Sequence, residues 1–281
     1  GVALLLTAGM WLAALPANWA PTNFREDWRA AAQYVAAQEG ANDAVVVHVD
    51  YLHVAFERYF QGQSPVFFPF TEQLTAPDQV EPPLLGLLPF DSVWLVQAHT
   101  LYFDPDHLVE RWLADRFPLA TEQYPNGVTV KRFLTRYRLS QPPAGLPQID
   151  AAFGPDINLV ACQAAPTRTP ATDVRSHPPS AWIHVQLYWL AHRTPSADFT
   201  TRARMIDAQG QVWGERLHRE RETLRLWPTS RWQPGEIVRE DLDVNLNPIT
   251  PPGPYRIVVA LLDPTAAPLG TEVGCGEIVI D

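Results

Sequence analysis

The sequence is poor in lysine, and few of its residues are charged. Lys131 is its only lysine, and the 281 residues carry a formal net charge of -10. A protein that binds the phosphate backbone of nucleic acid needs clustered cations, so we expect no nucleic-acid partner. A disordered chain is excluded as well, because 46% of the residues are hydrophobic and only 19% are charged.

Motifs of common catalytic and cofactor sites are also lacking. No G-x-G-x-x-G cradle follows the first predicted strand, and the sequence has no G-x-S-x-G, H-E-x-x-H or C-x-x-C. Dinucleotide-binding, serine-hydrolase and zinc sites are therefore unsupported. We expect no catalytic residue, no metal and no cofactor within these residues.

Cysteine is scarce, with Cys162 and Cys275 as the only two. They lie in the first and last strand regions of the second half of the chain. In an oxidising extracytoplasmic compartment they could form a disulfide bond, provided that their Cα atoms come within about 7 Å. Two buried free thiols are the alternative, and neither state indicates catalysis.

The N-terminal segment has no charged side chain before Arg25, and residues 2–15 are almost wholly apolar. A full bilayer span needs about 20 apolar residues, so this run is too short by itself. We expect residues 1–19 to be the end of a transmembrane helix, with Trp11 and Trp19 in the aromatic belt. A cleaved signal peptide or a buried core helix are the alternatives.

The rest of the chain divides into two parts of different texture. The sequence SQPPAGLPQ at 140–148 has the composition of a linker. We therefore predict an α/β extracytoplasmic domain over 20–140, a linker over 141–150 and a β-sandwich domain over 151–281.

Helical and strand patterns alternate in the first part, which favours a three-layer α/β domain. The run AVVVHV at 44–49 is continuous and β-branched, as expected for a strand buried on both faces. Helices are predicted over 27–40, 52–60 and 105–117, the last capped by Asp104, and further strands over 66–70, 92–98 and 128–134.

The second part consists of short strand-like runs separated by Pro, Gly and Asp, which is typical of an immunoglobulin-like β-sandwich. In WIHVQLYW at 182–189, apolar side chains alternate with more polar ones, so one face is expected to be buried. Further strands are predicted over 157–163, 201–206, 237–244, 255–262 and 277–280. The charged run at 215–225 is expected to be solvated.

A first group of candidate ligand-binding residues follows the first predicted strand. It consists of His48, Asp50, Tyr51 and His53, joined by His99 after the third strand. In open α/β sheets, ligands bind beyond the carboxyl ends of the strands, and imidazole with carboxylate could shuttle a proton. Alternatively His48 is a core residue, Asp50 caps the next helix and Tyr51 packs on it.

A second group is aromatic. Indole rings can stack on the C–H faces of sugars, so tryptophans of the sandwich could form a carbohydrate platform. Trp227 and Trp232, in the loop-like sequence WPTSRWQPG, are the candidates for exposure. A plug over the end of the sandwich is the alternative for both.

Several fragments carry a resemblance to a known family. FREDWRAAAQYVAA, DAVVVHVDYLHVAFERYF and SVWLVQAHT in the first half, with WPTSRWQPGEIVREDLDVNL and PPGPYRIVVALLDP in the second, resemble the extracytoplasmic C-terminal region of certain bacterial membrane proteins. These are multi-pass glycosyltransferases of the dolichyl-phosphate-mannose-protein mannosyltransferase type. The resemblance spans nearly the whole chain but includes no catalytic signature.

The resemblance implies a membrane enzyme that transfers a sugar from a polyprenyl-phosphate donor, with residues after about 20 on the extracytoplasmic side of the cell membrane. The family's catalytic acidic residues lie in an outer loop that this sequence does not contain. We therefore expect these residues to be inactive alone, to pack on a membrane catalytic domain upstream, and to contact a glycan or acceptor. The alternative is a membrane-anchored binding or structural protein of the cell envelope without enzyme activity.

Overall fold

A computed structural model describes residues 26–171 and 181–281. These residues are mostly β-structure and form three five-stranded sheets. The predicted membrane segment 1–19, with Trp11 and Trp19, lies outside them. Within the described ranges, no helix is both long enough and apolar enough to cross a bilayer.

The first sheet has the strand order β2-β1-β3-β5-β4. Its strands are β1 (Asp43–His48), β2 (Val66–Phe67), β3 (Ser92–Gln97), β4 (Leu119–Gln123) and β5 (Thr129–Phe133). β1 pairs in parallel with β2 on one side and with β3 on the other. The strand order therefore reverses between β1 and β3, which is where open α/β sheets form a crevice at their carboxyl ends.

Helices contribute to the cores on both faces of this sheet. They are α1 (Trp28–Gln38), α2 (His53–Glu57), α3 (Glu81–Leu85), α4 (Thr100–Phe103) and α5 (Leu108–Ala114). Ala32 of α1 belongs to the same core cluster as Val47. Val109 of α5 clusters with Val46, whose side chain points to the other face because strand residues alternate. This two-sided burial explains the continuous apolar run of β1.

Capping side chains lie near the start of the helices, although the helices are shorter than predicted. Asp27 caps α1 by accepting a hydrogen bond from the Ala30 amide at 2.9 Å. The predicted helix over 105–117 is confined to α5, but Asp104 still accepts hydrogen bonds from the amides of Leu108 and Val109, at 2.7 and 3.1 Å. The sequence patterns did not predict β4 or α3.

The other two sheets contain the remaining strands. In chain order these are β6 (Arg138–Leu139), β7 (Gln148–Phe153), β8 (Ile157–Ala165), β9 (Arg168–Thr169), β10 (Ala181–Ala191), β11 (Thr200–Ile206), β12 (Val212–Glu215), β13 (Ile237–Leu246), β14 (Gly253–Leu262) and β15 (Pro268–Ile280), with helix α6 (Thr223–Leu226) between β12 and β13. The second sheet has the order β6-β13-β10-β8-β7 and the third β12-β11-β14-β15-β9. β6, next to the predicted linker, already pairs with β13.

The second and third sheets share one apolar core. Ile183, Val185 and Leu187, alternate residues of β10, lie in the same cluster as Ile257 and Val259 of β14. The alternation in WIHVQLYW therefore marks the inward face of β10.

A disulfide bond joins these two sheets. It connects Cys162 on β8 with Cys275 on β15, whose Cα atoms are 5.5 Å apart, and closes a loop over a sequence separation of 113 residues. The bond therefore links the first long strand of the second part to its last strand.

The opposite face of β10 is also buried, because the second sheet packs against the first part of the chain. Trp182 donates a hydrogen bond from its indole N–H to the Glu122 carbonyl at 3.1 Å. The Thr121 hydroxyl donates to the Asp243 carboxylate at 2.8 Å. His184, on the same face as Trp182, is only 5% exposed. The second sheet is thus covered on both sides.

Charged side chains fill this second interface. His184 lies between two carboxylates of β13, with Nδ1 at 2.8 Å from Asp243 and Nε2 at 3.0 Å from Asp241. Arg239 donates two hydrogen bonds of 2.7 Å to Asp241, and Arg219 contacts Asp243 at 2.7 Å. We call these five residues the His184 network. Pairing of this kind is what permits charges to be buried at all.

Burial lowers the pKa of His184, but the hydrogen bonds and charges of Asp241 and Asp243 outweigh it and raise the pKa above its usual value. Burial raises the pKa of Asp243, yet the charge of Arg219 and the hydrogen bond from His184 bring it below the usual range. The imidazole therefore lies between its two partners as a cation, with both ring nitrogens donating.

Arg132 of β5 extends this network into the first sheet. Its Nη2 lies 2.9 Å from Asp43, and its Nη1 lies 3.9 Å from Asp241. The indole N–H of Trp94 also donates to Asp43, at 2.9 Å. Residues of the first and second sheets are thereby joined through buried charges.

The charged run at 215–225 is not solvated throughout, so that prediction was wrong for Arg216, Glu222 and Arg219, the last of which belongs to the His184 network and has a side chain only 8% exposed. Arg216 and Glu222 are 8% and 7% exposed. Arg216 lies 3.0 Å from Glu222 and 2.9 Å from Glu240, a fully buried residue of β13. Mixed charge signs suggested a solvated face, but here the opposite signs are paired inside the protein.

We predict that replacing both Cys162 and Cys275 with serine lowers the free energy of unfolding by about 2 to 5 kcal/mol, because the unfolded chain regains the freedom of a long loop. Urea denaturation of both proteins measures the difference. Reduction of the wild type should lower its stability by a similar amount. Equal stability of variant and wild type would contradict this role of the bond.

His184→Gln should lower the free energy of unfolding by about 3 kcal/mol at slightly acidic pH, because Asp241 and Asp243 lose a buried cation. The raised pKa means that His184 stabilises the fold fully below about pH 6.5 and that this contribution is lost as the pH rises through the folded-state pKa. Urea denaturation across neutral pH should therefore show a decline in the wild type that is smaller in the variant.

His192→Gln is the matched control, because His192 is exposed and lies outside the network. It should change stability by no more than about 0.5 kcal/mol. The same loss in both histidine variants would argue against the buried network as the cause.

Candidate functional site

The candidate site lies at the carboxyl edge of the first sheet, where β1 and β3 end side by side. A short 3-10 helix, Asp50–Leu52, follows β1, and α4 follows β3. These turns bring Tyr51 and His99 together, with their rings stacked at a centroid distance of 5.9 Å and an interplanar angle of 25°. The parallel pairing of β1 and β3 is what places both residues at one edge.

A chain of hydrogen bonds connects three side chains at this edge. The Tyr51 hydroxyl bonds to Nδ1 of His99, and Nε2 of His99 bonds to the Glu26 carboxylate. The exposed fraction is 47% for Tyr51, and 39% and 19% for the side chains of His99 and Glu26. We call this arrangement the Tyr51–His99–Glu26 chain. It is accessible from solvent at the tyrosine end.

The carboxylate determines the direction of one of these hydrogen bonds. Glu26 only accepts when ionised, so Nε2 of His99 donates to it, and the Tyr51 hydroxyl, which can donate or accept, bonds to Nδ1. Partial burial raises the pKa of Tyr51, and the charge of Glu26 raises it further. Tyr51 is therefore a protonated phenol at neutral pH, suited to hydrogen bonding rather than to nucleophilic attack.

The backbone at His99 is held in the left-handed region, with a φ of 57°. This conformation is uncommon for residues other than glycine and costs about 1 to 3 kcal/mol where it is imposed. The bonds to Tyr51 and Glu26 hold the imidazole at the start of α4. The Tyr51–His99–Glu26 chain is thus held in place both by the backbone conformation at His99 and by the side-chain hydrogen bonds.

His48, the last residue of β1, is not part of this accessible chain. It is fully buried, packs edge-on against Phe70 at a centroid distance of 5.1 Å, and lies 3.6 Å from Asp104. Neither of its ring nitrogens has a hydrogen-bond partner among the described residues. Burial raises the pKa of Asp104, but His48 and the backbone amides of α5 lower it below the usual range. His48 is therefore a core residue beneath the edge, so the expectation that it contacts a ligand is corrected.

Asp50 and His53 lie beside the chain without joining it. His53 donates from Nδ1 to the Asp50 carbonyl at 2.8 Å and packs on Phe68, with a centroid distance of 5.2 Å. Val49, rather than Asp50, is the residue that precedes the 3-10 helix. The structure thus brings Tyr51 and His99 into direct contact, and separates His48 from them by burial.

Glu26 is the member of this hydrogen-bonded chain that the sequence analysis did not include among the candidate residues. It lies 73 residues before His99. Its only sequence signal, an acidic residue before a helix, predicts an interaction with the amide ends of α1. The contact with His99 depends on the packing of α1 beside the sheet.

The two tryptophans expected to form a carbohydrate platform do not present open rings together. Trp232 is fully buried in the core shared by the second and third sheets, and its indole N–H donates to the Trp227 carbonyl at 3.1 Å. Trp227 is half-buried, with the Arg138 guanidinium 4.0 Å above its ring. The prediction for Trp232 is therefore corrected: a fully buried ring cannot stack on a sugar, and it closes the core instead.

Comparison with known proteins leaves the family of the chain undetermined, because no family model matches it and no curated protein matches it significantly. Within residues 26–171 and 181–281, no group of three or more His, Cys, Asp or Glu side chains is arranged to hold a metal ion. The arrangement at the carboxyl edge is therefore described by its own chemistry: an exposed phenol supported by imidazole and carboxylate.

We predict that Tyr51 titrates above its usual pKa of 10.0 and that Glu26→Gln moves its pKa back towards that value, because the variant removes a neighbouring negative charge. Tyrosine ring NMR signals followed against pH measure this, with Tyr51→Phe assigning the resonance.

Glu57→Gln is the control, because it neutralises an exposed carboxylate on the neighbouring helix α2. It should leave the titration of Tyr51 almost unchanged. A similar shift in both variants would mean that a general change in charge, and not the neighbouring carboxylate of Glu26, affects Tyr51.

Proposed function

We propose that this chain is the non-catalytic extracytoplasmic C-terminal part of a membrane glycosyltransferase that transfers a sugar from a polyprenyl-phosphate donor. The observation that carries the proposal is the disulfide bond between Cys162 and Cys275. Disulfides persist in oxidising compartments and are rare in the cytosol, which supports placement outside the cytoplasm. The apolar residues 2–15 support attachment to a membrane.

The enzyme class in this proposal rests on the sequence fragments that resemble the mannosyltransferase type. In this interpretation the first sheet with its helices is a three-layer α/β unit, and the second and third sheets are an immunoglobulin-like sandwich. The buried charges between the first and second sheets, including the pair of Arg132 and Asp241, would make one attached body of the two units.

The carboxyl edge is the side of the protein that we place towards the membrane. Glu26, the first described residue, bonds to His99 at this edge, so the chain arriving from the apolar segment reaches the protein there. The exposed phenol of Tyr51 can donate a hydrogen bond to a polar group at the membrane surface.

We predict that the purified 281-residue chain does not transfer sugar from a radiolabelled polyprenyl-phosphate donor, because the proposal places the catalytic residues upstream. A membrane preparation of the complete protein, in which upstream segments are present, is the positive control. Turnover by the chain alone would overturn its non-catalytic role.

The coding sequence upstream of Gly1 separates the proposal from a non-enzymatic envelope protein. Several apolar spans and an acidic pair in the first outer loop would support the glycosyltransferase. A single anchor would instead favour a membrane-anchored binding or structural protein.

A further inference from the structure

Four exposed hydrophobic residues lie on the short helices that follow β1 and β3, next to the candidate site. They are Tyr51, Val54, Leu101 and Tyr102, with 47%, 65%, 87% and 67% of their surface exposed. They make up four of the seven exposed large hydrophobic residues in the part of the chain that the structure describes. We call them the carboxyl-edge patch.

Parallel pairing of β1 and β3 explains why these residues are neighbours. Tyr51 and Val54 follow β1, and Leu101 and Tyr102 lie on α4 after β3. Phe103 connects the two groups, since its ring centroid lies 5.5 Å from that of Tyr51 and 4.8 Å from that of Tyr102. The patch is therefore a property of one edge of the sheet.

Clustered exposure of this kind needs a partner. Isolated surface hydrophobic residues are ordinary, but a contiguous group usually marks an interaction site. None of the four side chains carries a charge, and two of them are tyrosines. Tyrosine is enriched where membranes meet water, because its ring is apolar and its hydroxyl is polar.

The length of the chain before Glu26 limits the distance between this patch and any membrane anchor. Ten residues, 16–25, separate the apolar run from Glu26, and even fully extended they span only about 35 Å. Glu26 is bonded to His99, directly before the helix that carries Leu101 and Tyr102. An anchor formed by the apolar run would therefore keep Glu26 within about 35 Å of the bilayer.

We propose that the carboxyl-edge patch enters the interfacial layer of the lipid bilayer. In this arrangement the acyl chains, at their headgroup ends, are contacted by Val54 and Leu101. The headgroups are at the level of Tyr51 and Tyr102. The inference rests on the proposed function in one respect, the attachment of residues 2–15 to the membrane. It adds a second, direct contact between the folded part and lipid.

The charge of the chain indicates the kind of lipid surface. A net charge of -10 disfavours approach to an anionic bilayer, and the patch itself has no cation that could bind anionic headgroups. The attraction between the patch and a bilayer therefore comes from burial of apolar surface. Zwitterionic phosphatidylcholine vesicles are therefore the appropriate probe.

The test uses the whole 281-residue chain with an environment-sensitive fluorophore on Leu101→Cys. Ile249→Cys is the matched control, because Ile249 is 76% exposed but lies between β13 and β14. Both native cysteines are held in the disulfide bond, so the label reacts with the introduced thiol. Flotation with phosphatidylcholine vesicles reports attachment of the chain, and brominated lipids report contact of the label with acyl chains.

We expect the chain to float with the vesicles, and the label at position 101 to shift to shorter wavelength and to be quenched by brominated lipid. The label at position 249 should do neither. Flotation without a response at position 101 would overturn the lipid contact and leave the anchored function intact. A chain that does not float would overturn the lipid contact, and a shifted emission without lipid would overturn it as well, because protein would then cover the patch.

Discussion

The pairing of His184 with Asp241 and Asp243 is the interaction on which the rest of the structure depends. Isolated charges cannot be buried cheaply, so each carboxylate of this group needs its cation in place. Arg239 lies on the same strand face as Asp241, two residues before it, and holds it in two hydrogen bonds. With these partners, a sheet that could have faced water packs against the first part of the chain instead.

That arrangement has a consequence for the carboxyl edge. Arg132 lies between Asp43 of the first sheet and Asp241 of the second, so buried charges hold these two sheets against each other. The carboxyl ends of β1 and β3 then present the Tyr51–His99–Glu26 chain together with uncharged side chains such as Leu101. A polar hydrogen-bonding group within an apolar surface is suited to the boundary between membrane and water. The proposed attachment and the proposed lipid contact therefore concern the same edge.

Much of the secondary structure was predictable because its signals are local. The β-branched run of β1 indicates burial on both faces, the alternation in β10 marks the face that packs against the third sheet, and the carboxylates of Asp27 and Asp104 bind nearby amides. Short strands such as β4 were missed because a few residues carry little periodicity. The charged run containing Arg216 was misjudged, since mixed charges look the same whether they face water or pair with buried carboxylates.

The residue pattern alone is enough to predict the longer strands, the face of β10 that packs against the third sheet, and the polar residues that follow β1 and β3. The roles of those polar residues depend on tertiary packing. His48 and His99 are both polar residues near strand ends, yet packing buries the first and exposes the second. Glu26 reaches His99 across 73 residues. Trp232 is a core residue because the second and third sheets enclose its ring. Such contacts depend on how distant elements meet, and local patterns carry no information about that.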